Sequence, residues 1–221
     1  MQQPSIDIAP LFKFSFYQYK QYSSFIIGIM VTYFVLAVVP QVYITAYAPQ
    51  EPTKGIQILS GVLIVIQLFL TLGFIKIMLQ LVDDQYVEIN DLFNNFLPFI
   101  SYFIAYFLYV IAVVLGLLLF IVPGIFIAIR FLFYPYFILD GTHSSILALQ
   151  KSYKLTKGLE LELFLFGLAV IALNIAGALF FGIGIIFTYP LTTMATAILF
   201  RSLQNESDSL PSKQYRVLRF N

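Results

Sequence analysis

Arg130 stands in the run Gly124-Ile125-Phe126-Ile127-Ala128-Ile129-Arg130-Phe131, the one charge well inside an apolar segment of this chain. A charged side chain near the centre of a membrane helix costs ~2.5 to 3.5 kcal/mol on insertion scales, so this one requires a partner or a purpose. Its planar fork suits a carboxylate or a phosphate. Counting inward from the Pro123-Gly124 turn places Arg130 in the outer half of its span, at a depth similar to Asn174 and near Thr188 and Thr192, with Gln67 somewhat deeper. These five residues are the candidate site for an anionic ligand. The competing role is packing, with the guanidinium reaching outer headgroups or neighbouring carbonyls and the polar side chains acting as glue between helices.

The other chemistry-bearing sets are weaker. Thr188, Thr192 and Thr196 recur every four residues, and Tyr102, Tyr106 and Tyr109 at four and then three, so each set lines one helix face. A polar path would use such stripes, but so do helix contacts, and Ala172 with Ala176 forms a small-xxx-small pair that lets backbones approach. Asp83, Asp84, Glu88 and Asp91 cluster in one loop where carboxylates could hold a divalent cation or do acid–base work. No histidine, cysteine or nucleophile accompanies them, and a solvated face meeting Lys151, Lys154 and Lys157 is the simpler expectation. His143 lies in Asp140-Gly141-Thr142-His143-Ser144-Ser145, where Thr142, Ser144 or Ser145 would cap a helix. Neighbours in one turn do not supply the geometry of a Ser-His-Asp triad. With no cysteine and a single histidine, thiolate metal sites and most general-base schemes are unavailable, and the sequence predicts no catalytic residue, no metal and no cofactor.

The elements that must position these residues are membrane helices. Of 221 residues 60% are hydrophobic and only 10% charged, with 24 Phe and 15 Tyr and a mean hydropathy of +0.90, too little polar surface to face water. The apolar runs are long and continuous, as in Gly61 to Ile75 and Ile104 to Val122, which disfavours the alternation of a β-barrel. A net charge of +1 gives no basic field for nucleic acid. Met1 to Tyr22 holds no signal-peptide pattern, so the mature chain is expected to begin at Met1.

The predicted fold is all-α: a polytopic bundle of six spans at about 25–43, 56–79, 97–122, 124–139, 161–181 and 183–200, followed by a polar cytoplasmic tail, 204–221. Ile121-Val122-Pro123-Gly124 and Phe181-Gly182-Ile183-Gly184 separate paired spans with almost no polar residue, so each pair should form a tight hairpin; four long spans plus a re-entrant segment is the other arrangement. Lys13, Lys20, Lys76, Lys151, Lys154, Lys157, Arg201, Lys213, Arg216 and Arg219 all fall on one side and only Lys54 on the other, which predicts both ends in the cytoplasm.

Each hairpin is preceded by a short amphipathic stretch on the cytoplasmic side, at 11–20, 87–96 and 146–155. In the third, Ile146, Leu149 and Tyr153 share one face while Lys151 and Lys154 project away and Lys157 follows, a pattern suited to the headgroup region. Three copies of interfacial helix plus hairpin would form a pseudo-threefold bundle; coincidence of amphipathic linkers is the alternative. Lys151, Lys154 and Lys157 would meet either anionic lipid, at ~1 kcal/mol each, or a cytoplasmic partner.

From Gly116 the chain reads Gly-Leu-Leu-Leu-Phe-Ile-Val-Pro-Gly-Ile-Phe-Ile-Ala-Ile-Arg-Phe, continuing through Tyr136-Phe137-Ile138-Leu139-Asp140-Gly141 and Ala148-Leu149-Gln150-Lys151-Ser152 to Lys157-Gly158. This resembles the YciC-like bacterial membrane proteins and the membrane domains fused to some glycerophosphodiester phosphodiesterases. The resemblance implies a bacterial inner-membrane protein with a helical bundle and no established activity; the phosphodiesterase catalytic domain is absent from these residues. The sequence thus predicts a non-enzymatic scaffold or accessory subunit of an envelope process, with the bilayer and another membrane or cytoplasmic protein as partners. The alternative is a small transporter or lipid-handling protein built on the polar cluster around Arg130.

Overall fold

A computed structural model describes residues 7–47, 53–179, 182 and 184–207. Among them there are ten α-helices and no strand: α1 (Ile8–Gln21), α2 (Ser23–Tyr33), α3 (Val39–Tyr47), α4 (Lys54–Val82), α5 (Phe96–Leu119), α6 (Ile121–Arg130), α7 (Tyr134–Leu139), α8 (Ser145–Leu155), α9 (Glu160–Leu179) and α10 (Ile185–Ser207). A π-helical turn, Phe34–Val38, joins α2 to α3 just before Pro40, whose missing N–H breaks the regular ladder. Five stretches are long and apolar enough to cross a membrane: Ser23–Tyr47, Lys54–Val82, Ile89–Leu119, Ile121–Leu139 and Glu160–Leu179. This is the architecture of a multi-pass helical membrane protein. The sixth long helix, α10, has the length but carries Thr188, Tyr189, Pro190, Thr192, Thr193 and Thr196. It tolerates them because α1, α2, α4 and α9 surround it, so most of its second half is buried.

The packing is cyclic. Each hairpin has a first helix and a second helix, and the second helices, α4, α7 and α10, meet in the middle: Phe200 of α10 touches Phe133, Tyr136 and Phe137, and the Tyr136 hydroxyl donates to the Thr193 carbonyl at 3.4 Å. Each short preceding segment lies on one of these. The turn Ile89–Leu92 packs on α4, α8 on α7, and α1 on α10, closing the ring. This is the arrangement that three copies of one unit would give.

Three expectations are corrected. The fourth span, 124–139, is not one helix, because α6 stops at Arg130 and α7 restarts at Tyr134. Pro135, near the start of α7, offers no N–H to continue the ladder. The second amphipathic stretch, 87–96, holds one 3-10 turn instead of a helix, since Asn90, Asp91, Asn94 and Asn95 prefer local side-chain bonds to helix; the Asp91 carboxylate takes the Glu88 N–H at 2.9 Å. The predicted tail, 204–221, begins in helix, because α10 continues to Ser207; 208–221 lies outside the described residues.

Glycine sets the closest approaches. A Cβ on Gly116 would come within 2.9 Å of the Gly124 Cα, and one on Gly184 would sit 2.8 Å from the Gly177 Cα, so both apolar hairpins close on a glycine pair. Ala172 and Ala176, read as the small pair, face outward. Gly73 on α4 does the same for the 3-10 turn, where a Cβ would lie 2.8 Å from the Leu92 carbonyl carbon.

Candidate functional site

Arg130 ends α6 and is only 6% exposed. Its guanidinium pairs with the Glu160 carboxylate at the start of α9, donates to the Tyr153 carbonyl at 3.4 Å, and lies 4.9 Å and 4.7 Å from the Phe126 and Tyr153 ring centroids. Two aromatic faces, a carboxylate and a carbonyl engage the charge through its terminal nitrogens, while the buried Nε–H has no hydrogen-bond partner.

The backbone beside it is stitched just as closely. Where α6 breaks, Tyr134 N–H turns to the Phe131 carbonyl, which frees the Arg130 carbonyl from its usual helical partner. The hydroxyls of Ser152 (2.9 Å) and Thr156 (3.2 Å) both donate to that carbonyl. Ser152 also accepts the freed Phe133 N–H at 3.0 Å. One fully buried hydroxyl thus repairs both sides of the break, the condition for an interrupted helix away from water. These contacts fix the inner face of α8 as Ala148, Ser152 and, just beyond its end, Thr156, whereas Ile146 and Tyr153 face outward with Lys154 and Lys157. Of the predicted apolar face of α8, Ile146, Leu149 and Tyr153, the first and last are exposed on the protein surface. Only Leu149 of those three is partly buried.

The five-residue anion site does not assemble. Asn174 lies fourteen residues beyond Glu160 on α9, ~21 Å at 1.5 Å per residue. It donates to the Val170 carbonyl at 2.9 Å and to the Thr192 hydroxyl at 3.1 Å, which in turn donates to the Tyr189 carbonyl. That is a helix-to-helix bond between α9 and α10. Thr188 faces Gly177, and Gln67 sits half-buried on α4 with its carbonyl bonded by Thr71. Arg130 pairs with Glu160 at the start of α9, which separates it along that helix from Asn174, a distance that the count inward from the Pro123-Gly124 turn does not anticipate.

A second charged centre, unforeseen from sequence, joins the ends of α4 and α7 to the last two turns of α10. Arg201 of α10 donates from Nε and Nη2 to Asp83, just after α4, at 2.9 and 2.6 Å. From Nη1 it donates to Asp140, just after α7, at 2.7 Å and to Gln204 at 2.8 Å; Gln204 itself donates to the other Asp140 oxygen at 2.7 Å. Partial burial opposes the Arg201 charge, but the bonds to Asp83 and Asp140 outweigh it and hold the guanidinium above its already high ordinary pKa. The acidic loop is thereby divided: Asp83 belongs to Arg201 and Asp91 to Lys76 at 3.6 Å. It does not meet Lys151, Lys154 and Lys157; the Lys151 ammonium instead donates to Thr142 at 2.9 Å. Ser144 is the α8 cap, accepting Leu147 N–H at 3.4 Å, and the His143 carbonyl accepts the Ser101 hydroxyl, so Asp140, His143 and Ser144 each face a different partner.

The tyrosine stripe meets a partner that sequence reading missed. Tyr102 stacks on Tyr134 at 5.9 Å and Tyr109 leans on the same ring at 5.5 Å, while Tyr33 stacks on Tyr189 and bonds Thr71 at 3.0 Å. The Lys-Gly-x-Glu turn before α9 and the four-residue spacing of Ser152 and Thr156 were the available signals for the Arg130 centre. No family model, curated protein or solved structure matches this chain.

Proposed function

We propose that the protein is a non-enzymatic scaffold or accessory subunit in the bacterial inner membrane, with both ends in the cytoplasm. The observation that carries this reading is where its charges go. The charged groups in the interior are spent on one another, Arg130 with Glu160 and Arg201 with Asp83 and Asp140, and so serve to hold helices. Among the described residues, exposed cations include Lys13 and Lys20 on α1 beside Phe16 and Tyr17, and Lys154 on α8, with Lys157 after it, near Ile146; Lys54 is exposed at the start of α4. Exposed aromatic and basic side chains on one surface suit an anionic leaflet or a docked protein. The segregation of Lys and Arg supports the orientation. The sequence resemblance of 116–158 to the YciC-like proteins agrees with the location and adds no activity.

Photo-crosslinking from Tyr17 and Lys154 in native membranes tests the reading. A reproducible protein adduct from Tyr17 that disappears on Lys154→Glu with Lys157→Glu is expected. No adduct, together with solute movement by the purified protein in liposomes, would replace the scaffold reading with a transporter.

A further inference from the structure

Helix α1 is tied to membrane spans in both of its halves. Its last turn passes through Tyr22 alone into α2, the start of the apolar stretch Ser23–Tyr47. The ladder continues across the junction, with Tyr22 N–H on the Gln18 carbonyl at 3.3 Å and Ile26 N–H on the Tyr22 carbonyl at 2.9 Å. In its first half, Phe12 stacks at 5.8 Å on Phe166 of α9, itself long and apolar enough to cross a membrane. A helix held against spans in this way lies along the membrane boundary and does not project from it.

Around its axis α1 presents different side chains in turn. Leu11, Ser15, Gln18 and Tyr19 are buried, and α10 is the main neighbour. Phe12 and Phe16, one turn apart, share the adjoining flank, and Phe16 is 55% exposed. At about 100° per residue, Lys20 and Lys13 follow about 40° and 60° beyond Phe16, and Tyr17 about 100° beyond it. The contact of Phe12 with α9 marks its flank as the membrane side. Phe16 therefore meets acyl chains, the two exposed lysines stand at the level of the headgroups, and Tyr17 turns to the aqueous side. Helix α1 contains no carboxylate, and neither lysine has an ion pair among the described residues.

We infer that α1 is a binding site for anionic phospholipid, with Phe16 among the acyl chains and the Lys13 and Lys20 ammonium groups on the negatively charged headgroups. Lipid is the occupant because the charged row adjoins the membrane flank, while Tyr17, beyond it, stays available to the protein partner of the scaffold. The inference rests on the same placement of this surface at the membrane and deepens it by naming the ligand of the two lysines.

The chain has no tryptophan, so Phe16→Trp introduces a sole fluorophore at an exposed position. Val42→Trp, 58% exposed and twenty residues (~30 Å) beyond Tyr22 along the first span, is the distant control. In liposomes of phosphatidylglycerol and phosphatidylcholine, with one or the other brominated in its acyl chains, quenching gives the relative affinity for the two lipids at each reporter. A preference for phosphatidylglycerol of up to about fivefold per lysine is expected at position 16, with none at position 42. Adding Lys13→Gln and Lys20→Gln to the Phe16→Trp protein should abolish it. Equal quenching by the two lipids at position 16, the same preference at both positions, or a preference that survives the glutamine pair would overturn the inference. A protein adduct from Tyr17 without this preference removes the lipid site and leaves the scaffold reading standing; solute movement without an adduct, the preference being present, does the reverse.

Discussion

Replacing Arg201 with methionine removes the cation through which α10 holds the ends of α4 and α7. The side chain of Arg201 is 16% exposed, with Asp83 and Asp140 at 20% and 28%. Four hydrogen bonds to the two carboxylates and Gln204, at 2.6 to 2.9 Å, would be lost. Breaking a well-buried pair from one side costs ~3 to 5 kcal/mol, most of it the penalty of the charge left behind. These groups keep some water, so the expected loss is about 2 to 3 kcal/mol, even though two carboxylates are orphaned at once. Equilibrium unfolding of the purified protein in mixed micelles, followed by helix signal, measures it. The decisive comparison is Arg201→Met carrying Asp83→Asn and Asp140→Asn, which removes the stranded charges and should recover at least half of the loss. Because Arg201 is held above its ordinary pKa, its contribution is complete below that ordinary value and is lost as pH rises through the raised one. The wild-type clamp is accordingly expected to be insensitive to Arg201 titration between neutral and mildly alkaline pH. Destabilisation below about 0.5 kcal/mol in Arg201→Met, within the range of ordinary surface substitutions, or no recovery in the neutralised variant, would refute the assignment of the clamp.

Ser152→Ala removes the acceptor of the Phe133 N–H while Thr156 still serves the Arg130 carbonyl, so a loss of about 1 to 3 kcal/mol is expected from the same unfolding measurement. In a double-mutant cycle, Arg130→Gln and Glu160→Gln should show a coupling near ~2 kcal/mol, reduced from the fully buried range because Glu160 is 32% exposed. Gly184→Ala drives a Cβ into the backbone of Gly177 and should cost about 1 to 3 kcal/mol in thermal or denaturant unfolding. Gly167→Ala, with nothing within 4 Å of its added carbon, should fall at or above wild type, since alanine favours helix by ~1 kcal/mol.

The sequence by itself determined the class of solvent and the kind of element. Uninterrupted apolar runs longer than a strand admit only helices in lipid, because every backbone group must be satisfied within its own segment. The existence of the apolar hairpins was equally legible, although the first turns at Phe120, and Pro123-Gly124 lies in the opening of α6. Asn174 of α9 donates to Thr192 of α10, a contact between helices of the kind the packing alternative describes.

Tertiary structure alone decided what each charge does. Arg130 and Glu160 are thirty residues apart, and their meeting depends on a helix break at Phe131 to Phe133 that α8 stitches through Ser152. Local periodicity contains no information on that break, because the bonds that make it tolerable come from another element. Asp83 and Asp140 close α4 and α7, Arg201 lies in the last two turns of α10, and only the packing of these three helices brings the side chains to one point. Along the chain Arg130 looks like a buried charge seeking a ligand; in the fold, the low dielectric that makes an unpaired guanidinium so costly has already given it a carboxylate and two aromatic faces.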